Sequence, residues 1–239
     1  MTIIEGSLGW NANFSLSWDI LEYSIKDTDG IISNVRTNEL GSKFLTGFSL
    51  SIPQSSAEEA LIIAVEKGNR VADYLSSIHR LPIQAYLLNI TEIRPKGEAK
   101  TGIATFKMSG NVHQPVDLDF ADIKKLLACS NPKILRQLAH YNMGLRCSLD
   151  PINQFREFYL VLEDTYGKGH PHLKKYSYIR HALNHPELDY PKFASKLLHE
   201  IGVAHIDPSS PKAKELVEQN LRDLKHDAAQ IISDILKTI

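Results

Sequence analysis

Hydrophobic and polar positions divide the chain into two stretches of different rhythm. Phe14-Ser15-Leu16-Ser17-Trp18-Asp19-Ile20 alternates apolar and polar residues, the period of a half-buried strand. Phe44 to Ile52 does the same and stops at Pro53. Ser56-Ala57-Glu58-Glu59 has the spacing of a capping box and opens a predicted helix running to about Ile78. Gln84 to Arg94 and Thr101 to Val112 read as two further strands around the turn Pro95-Lys96-Gly97-Glu98. From about Val116 the texture becomes helical. Asp119 to Ala128 predicts a short helix, and Asn131-Pro132 and Asp150-Pro151 each open another, since Asn and Asp cap helices and Pro suits the first turn. Phe155, Phe158, Tyr159, Leu162 and Tyr166 form one apolar stripe. Leu173 to His185 is the next helix. Ser210-Pro211 starts a long last one, whose Leu216, Val217, Leu221, Leu224, Ala228, Ile231, Ile235 and Ile239 keep helical spacing. The predicted fold class is therefore an α+β N-terminal domain over residues 1–115 followed by an all-α helical bundle over 116–239.

Composition narrows the function classes without choosing one. The 239 residues suffice for a real core, and 43% hydrophobic with 23% charged residues describes an ordinary globular protein. The longest apolar runs, such as Ala60 to Val65, are far too short for a bilayer, so no membrane partner is expected. Met1 to Gly6 lacks the basic and apolar regions of a secretory leader, which points to the cytoplasm. Cys129 and Cys147 cannot make a disulfide framework and read as reduced, buried thiols. A net charge of -1 offers no general attraction for nucleic acid, so any such contact needs a local patch.

One stretch supplies that patch. No acidic residue occurs between Lys168 and Pro186, whereas Lys168, Lys174, Lys175 and Arg180 occur with His170, His172, His181 and His185. Tyr176 and Tyr178 are interleaved, and aromatic rings beside cations suit single-stranded RNA through stacking and phosphate attraction. Lys174, Lys175 and Tyr178 are the candidate RNA contacts. At about 100° per residue, Leu173, Tyr176, Ile179 and Leu183 define the buried stripe, and Arg180 falls inside it. An arginine there needs an ion pair or an open cleft. Glu163, beside the stripe of the preceding helix, is a candidate to orient it. Pro186 pushes His185 out of the helical region, so the ring should swing away from the axis. The pair suits metal-free RNA cleavage: histidine moves protons near neutral pH and arginine holds phosphate.

Arg180, His181, Ala182-Leu183-Asn184 and His185 spell an arginine, a polar residue, three more residues and a histidine. With this motif on the penultimate long helix, residues 131–239 resemble the HEPN (higher eukaryotes and prokaryotes nucleotide-binding) superfamily, and its Apea-like branch most. That signature more often has asparagine where His181 stands. The resemblance implies four main helices and a homodimer built through the C-terminal helices, with both motifs facing one cleft. It implies a metal-independent endoribonuclease that needs no cofactor and leaves a 2′,3′-cyclic phosphate, with Arg180, His181 and His185 as catalytic residues. Toxin–antitoxin and anti-phage defence are the implied settings, with an antitoxin or regulatory protein as partner. A non-catalytic dimerisation or nucleotide-sensing module is the alternative, since other members have lost activity.

A zinc site is the chemical rival. His181 and His185 stand at i, i+4, with His170, His172, His199 and His205 as further nitrogen donors. Ala182 stands where a helical metalloprotease motif places glutamate, and no carboxylate or cysteine has convincing ligand spacing.

Overall fold

The structure, a computed structural model, describes residues 8–94, 97–102, 110–184, 191–203 and 206–239; at 22–25, 94, 97–102, 110–119 and 191–194 the backbone alone is described. Two compact units form, one from Met1–His79 and Ile83–Cys129, the other from Arg80–Pro82 and Ser130–Thr238. The change therefore falls at Cys129/Ser130, later than the 115/116 boundary read from the sequence. Residues 116–119, read there as the start of helical texture, end a strand, and the short helix after it belongs to the sheet unit.

The first unit contains β1 (Gly9–Lys26), β2 (Ile31–Thr37), β3 (Lys43–Ile52), α1 (Ala57–His79), β4 (Ala85–Arg94), β5 (Gly97–Gly102), β6 (Gly110–Asp119) and α2 (Phe120–Ala128). An antiparallel sheet runs in the order β2-β3-β1-β4-β5. β1 changes partners along its length. Gly9 to Leu16 pair with β4, whereas Trp18 to Lys26 pair in parallel with β6. The alternation predicted for 14–20 places Phe14, Leu16 and Ile20 in the core, where Phe14 stacks on Phe48 with centroids 4.9 Å apart. The capping box at α1 is complete: Glu59 N–H donates to Ser56 Oγ at 3.3 Å, and Ser56 N–H donates to Glu59 Oε2 at 3.1 Å. α1 lays Ala60, Ala64, Val71 and Leu75 into the core. Its Gly68 lies on the Phe14 ring so closely that any Cβ there would collide with it.

The second unit is mostly helical: α3 (Pro132–Arg146), α4 (Pro151–Tyr166), a 3₁₀ turn (Pro171–Leu173), α5 (Lys174–Asn184), α6 (Pro191–Ile201) and α7 (Pro211–Thr238). Asn131 and Asp150 cap α3 and α4 as expected, accepting from Lys133 N–H at 3.0 Å and Asn153 N–H at 3.1 Å. Phe155, Phe158, Tyr159 and Leu162 on α4 are buried, but Tyr166, placed on the same stripe by spacing, is exposed at the helix end. α3 meets α4 where Gly144 admits the Phe158 ring; a Cβ at that glycine would stand 2.6 Å from Phe158 Cε1. Val217, Leu224, Ala228 and Ile232 give α7 its buried stripe. Both cysteines are free thiols and half-buried, less covered than the sequence reading had them. Among the described residues, no helix is long and apolar enough to cross a membrane.

Candidate functional site

The 3₁₀ turn buries Leu173, and α5 after it buries Tyr176, Tyr178, Ile179, Ala182 and Leu183. Arg180 follows Ile179, so helical phase brings its side chain to the edge of that buried stripe, against α4. There Arg180 Nη1 donates to Glu163 Oε1 at 3.1 Å, with the arginine side chain 31% and the carboxylate side chain 13% exposed. Tyr159, one turn before Glu163 on α4, donates its hydroxyl to the same oxygen at 3.2 Å. The guanidinium carbon stands 4.7 Å from the Tyr159 ring centroid, a cation–π distance. Burial raises the Tyr159 phenol above its ordinary pKa, and the Glu163 charge raises it further while Arg180 opposes. The Glu163 orientation read from spacing is thus met in the structure, with an aromatic platform added.

The assembly borders an open cleft of about 290 Å³. Arg180, His181, Asn184 and Ser177 line it from α5, Tyr159 and Glu163 from α4, and Lys168 from the turn after α4. His181 is half-buried in that wall. His185, the residue on which the proton-transfer reading depends, lies outside the described residues, as does His205.

The candidate RNA contacts are not equivalent. Tyr178 lines the cleft but is only 7% exposed, and Lys196 Nζ of α6 stands 5.5 Å over its ring. Little ring face remains for a base. Lys174 forms an ion pair with Glu200 at 2.6 Å, and that hydrogen bond holds the ammonium above and the carboxylate below their ordinary pKa values. Lys175 is exposed on the neighbouring face. Two contributors escaped the sequence reading. Tyr159 sat in an apolar stripe and looked like core, and Lys196 lies on α6, a helix that was not predicted.

No family model matches this chain. No curated protein and no solved structure matches it either.

Of the histidines offered as zinc ligands, His170 and His172 are engaged elsewhere. His170 stacks on Tyr166 at 5.1 Å and accepts from His172 N–H at 3.2 Å, while His172 Nε2 lies 3.4 Å from Asp227. Among the described residues, no three His, Cys, Asp or Glu side chains converge as a metal site would need.

Proposed function

We propose that this chain is a HEPN-like, metal-independent endoribonuclease whose chemistry is centred on the α4–α5 cleft. The observation that carries the reading is Arg180 held at the cleft wall by Glu163 and Tyr159. A guanidinium has five N–H donors in a fixed plane. Glu163 takes one at Nη1, which fixes the plane and leaves donors for a phosphate. In this reading Arg180 grips the scissile phosphate and stabilises the charge that builds on it. His185, next in the chain after the end of α5, removes the proton from the ribose 2′-hydroxyl as that oxygen attacks phosphorus. The 5′-oxygen leaves with a proton, and a 2′,3′-cyclic phosphate remains. An imidazole titrating near neutrality suits both transfers. His181 contacts phosphate from the cleft wall. A homodimer through the C-terminal helices would set two such motifs at one groove. In the cell the reading makes the chain a cytoplasmic growth-arresting effector in defence or stress, restrained by a partner protein.

The ion pair also suits the second reading, a dimerising or nucleotide-sensing module with no chemistry, because Glu163 satisfies Arg180 without any ligand. Purified protein incubated with single-stranded RNA in EDTA separates the two. Cleavage that His185→Ala abolishes, with the oligomeric state unchanged, supports the enzyme. RNA left intact by the wild-type protein overturns it in favour of the module. Growth arrest on expression, relieved by His185→Ala, tests the cellular role.

A further inference from the structure

We infer that a second concavity of the helical unit, bordered by Arg80 and the Arg222–Ala229 stretch of α7, binds a ligand carrying adjacent phosphate groups. The concavity is larger than the Arg180 cleft, about 530 Å³, and opens to solvent. Arg80, Arg222, Lys225 and His226 line it together with Asp223, Asp227 and Ala229, and among the described residues none of the four basic side chains makes a hydrogen bond or ion pair. Arg222 stays unpaired even with Glu218 four residues before it.

Helical phase explains how cations and acids on one stretch are kept apart. At about 100° per residue, Arg222, Lys225, His226 and Ala229 share one stripe of α7, and Asp223 and Asp227 occupy the next. The two acids bear on α5 as well as on the concavity. Asp227 accepts from the Tyr176 hydroxyl at 3.5 Å and faces His172, and the charges of Asp227 and Asp223 both bear on the Tyr176 phenol. Both acids also line the concavity, but part of their negative charge is spent on α5, which leaves the unpaired cations in excess there.

Arg80 has an unusual backbone. Its φ is 56°, which makes it the only non-glycine residue at positive φ among those described. A residue with a Cβ rarely adopts this conformation, and glycine would adopt it freely. Arg80 directly follows the last residue of α1, where helices commonly end in a left-handed residue, and this turn presents its guanidinium at the wall of the concavity. Behind it lies the buried Tyr141 hydroxyl, which has no hydrogen-bond partner and feels the Arg80 charge.

The α7 cations, Arg222 to His226, run over a little more than one turn, about 6 Å, and Arg80 adds another on the wall, a spread suited to two phosphates in succession. Two of the three permanent charges are arginines, whose planar donors match phosphate oxygens better than an ammonium does. Adjacent phosphates occur in an RNA backbone and in a free nucleotide polyphosphate, and the test distinguishes these sources. The inference does not depend on whether RNA is cut.

The intact chain is titrated calorimetrically in EDTA, once with pyrophosphate and once with a 2′-O-methyl oligonucleotide that cannot be cleaved. At least one probe should bind, and Arg222→Glu/Lys225→Glu should weaken it tenfold or more. Arg180→Gln should leave pyrophosphate binding at this site unchanged. Binding of pyrophosphate identifies a free polyphosphate as the source, and binding of the oligonucleotide alone identifies the RNA backbone. If neither probe binds, or if the double variant binds as the wild type does, the inference is overturned. Should the glutamates unfold the unit, Arg222→Gln/Lys225→Gln with an unchanged circular-dichroism melt should still weaken binding threefold or more. His185→Ala, which tests the ribonuclease reading, should not alter the pyrophosphate titration, so either idea can fail alone.

Discussion

The two clefts of the helical unit handle positive charge in opposite ways. At the α4–α5 cleft one arginine is fixed by a carboxylate and lies on an aromatic ring. At the α7 concavity several cations stand without partners. A fixed guanidinium has lost its rotamer freedom before any ligand arrives, so it can hold a reacting group in one geometry. Unpaired cations on a helix surface cannot do that. They contribute a field, which attracts phosphates with little regard to orientation and is weakened by salt. The difference separates a place built for positioning from a place built for attraction.

That contrast can be broken by experiment. On the ribonuclease reading, the largest effect is expected from Arg180→Ala, which should slow RNA cleavage by about 100-fold or more at saturating RNA, as loss of one preorganised donor does. If the α7 concavity takes the RNA backbone, Arg222→Glu/Lys225→Glu should leave the saturated rate within about twofold and weaken RNA binding instead; equal effects on rate from both variants would erase the distinction. Salt gives a second measure. The slope of log affinity against log salt should flatten by about 2 in the double variant and by less than about 1 in Arg180→Ala, because Glu163 already neutralises Arg180. Next comes stability. Glu163→Ala strands the Arg180 guanidinium and the Tyr159 hydroxyl together and should cost about 1–3 kcal/mol in urea unfolding. Arg222→Ala, which breaks no bond, should stay within about 0.5 kcal/mol.

The smallest effect is a titration. Burial, with Asp227 and Asp223 nearby, pushes the Tyr176 phenol up to about 12. An unfolded phenol releases its proton near 10, so this tyrosine contributes stability that is present below that pH and lost as pH rises toward 12. Absorbance titration should find late-ionising tyrosines, Tyr141 and Tyr176 among them, and in Asp227→Asn the Tyr176 component should move down without returning fully to normal. A full return would mean that charge, and not burial, governs it.

Much of this architecture was legible in residue order. Strands at 14–20, 44–52 and 84–94 and the helices opened by Ser56, Asn131, Asp150 and Ser210 follow from alternation and caps, which are local signals. The misses have physical reasons. β2 is an edge strand whose residues after Ile31 are largely solvated, so no apolar face marks it. α6 went unread although Phe193, Leu197, Leu198 and Ile201 keep helical spacing, because the prolines at 186 and 191 break the pattern ahead of it. β6 pairs with β1 across some ninety residues, and no local pattern reports a partner so distant. At the site, the approach of Glu163 to Arg180 could be read because both border stripes on successive helices. The role of Tyr159 could not, since a ring that supports a cation has the same spacing as one that fills a core. The α7 cations carry no signal in the sequence that separates them from the solvated face of a long helix; the concavity they share with Arg80 appears only in the fold.

The partner exchange along β1 also has a consequence for synthesis. Its residues near the start of the chain complete their ladders only with residues up to Asp119, so this sheet cannot close while the ribosome is still making its last strand. Until then Trp18 to Lys26 lack the β6 ladder, and a template of that kind invites pairing with other nascent chains. Slow, high-contact-order assembly follows, and expression at reduced temperature or with a holdase chaperone should raise the yield of folded protein.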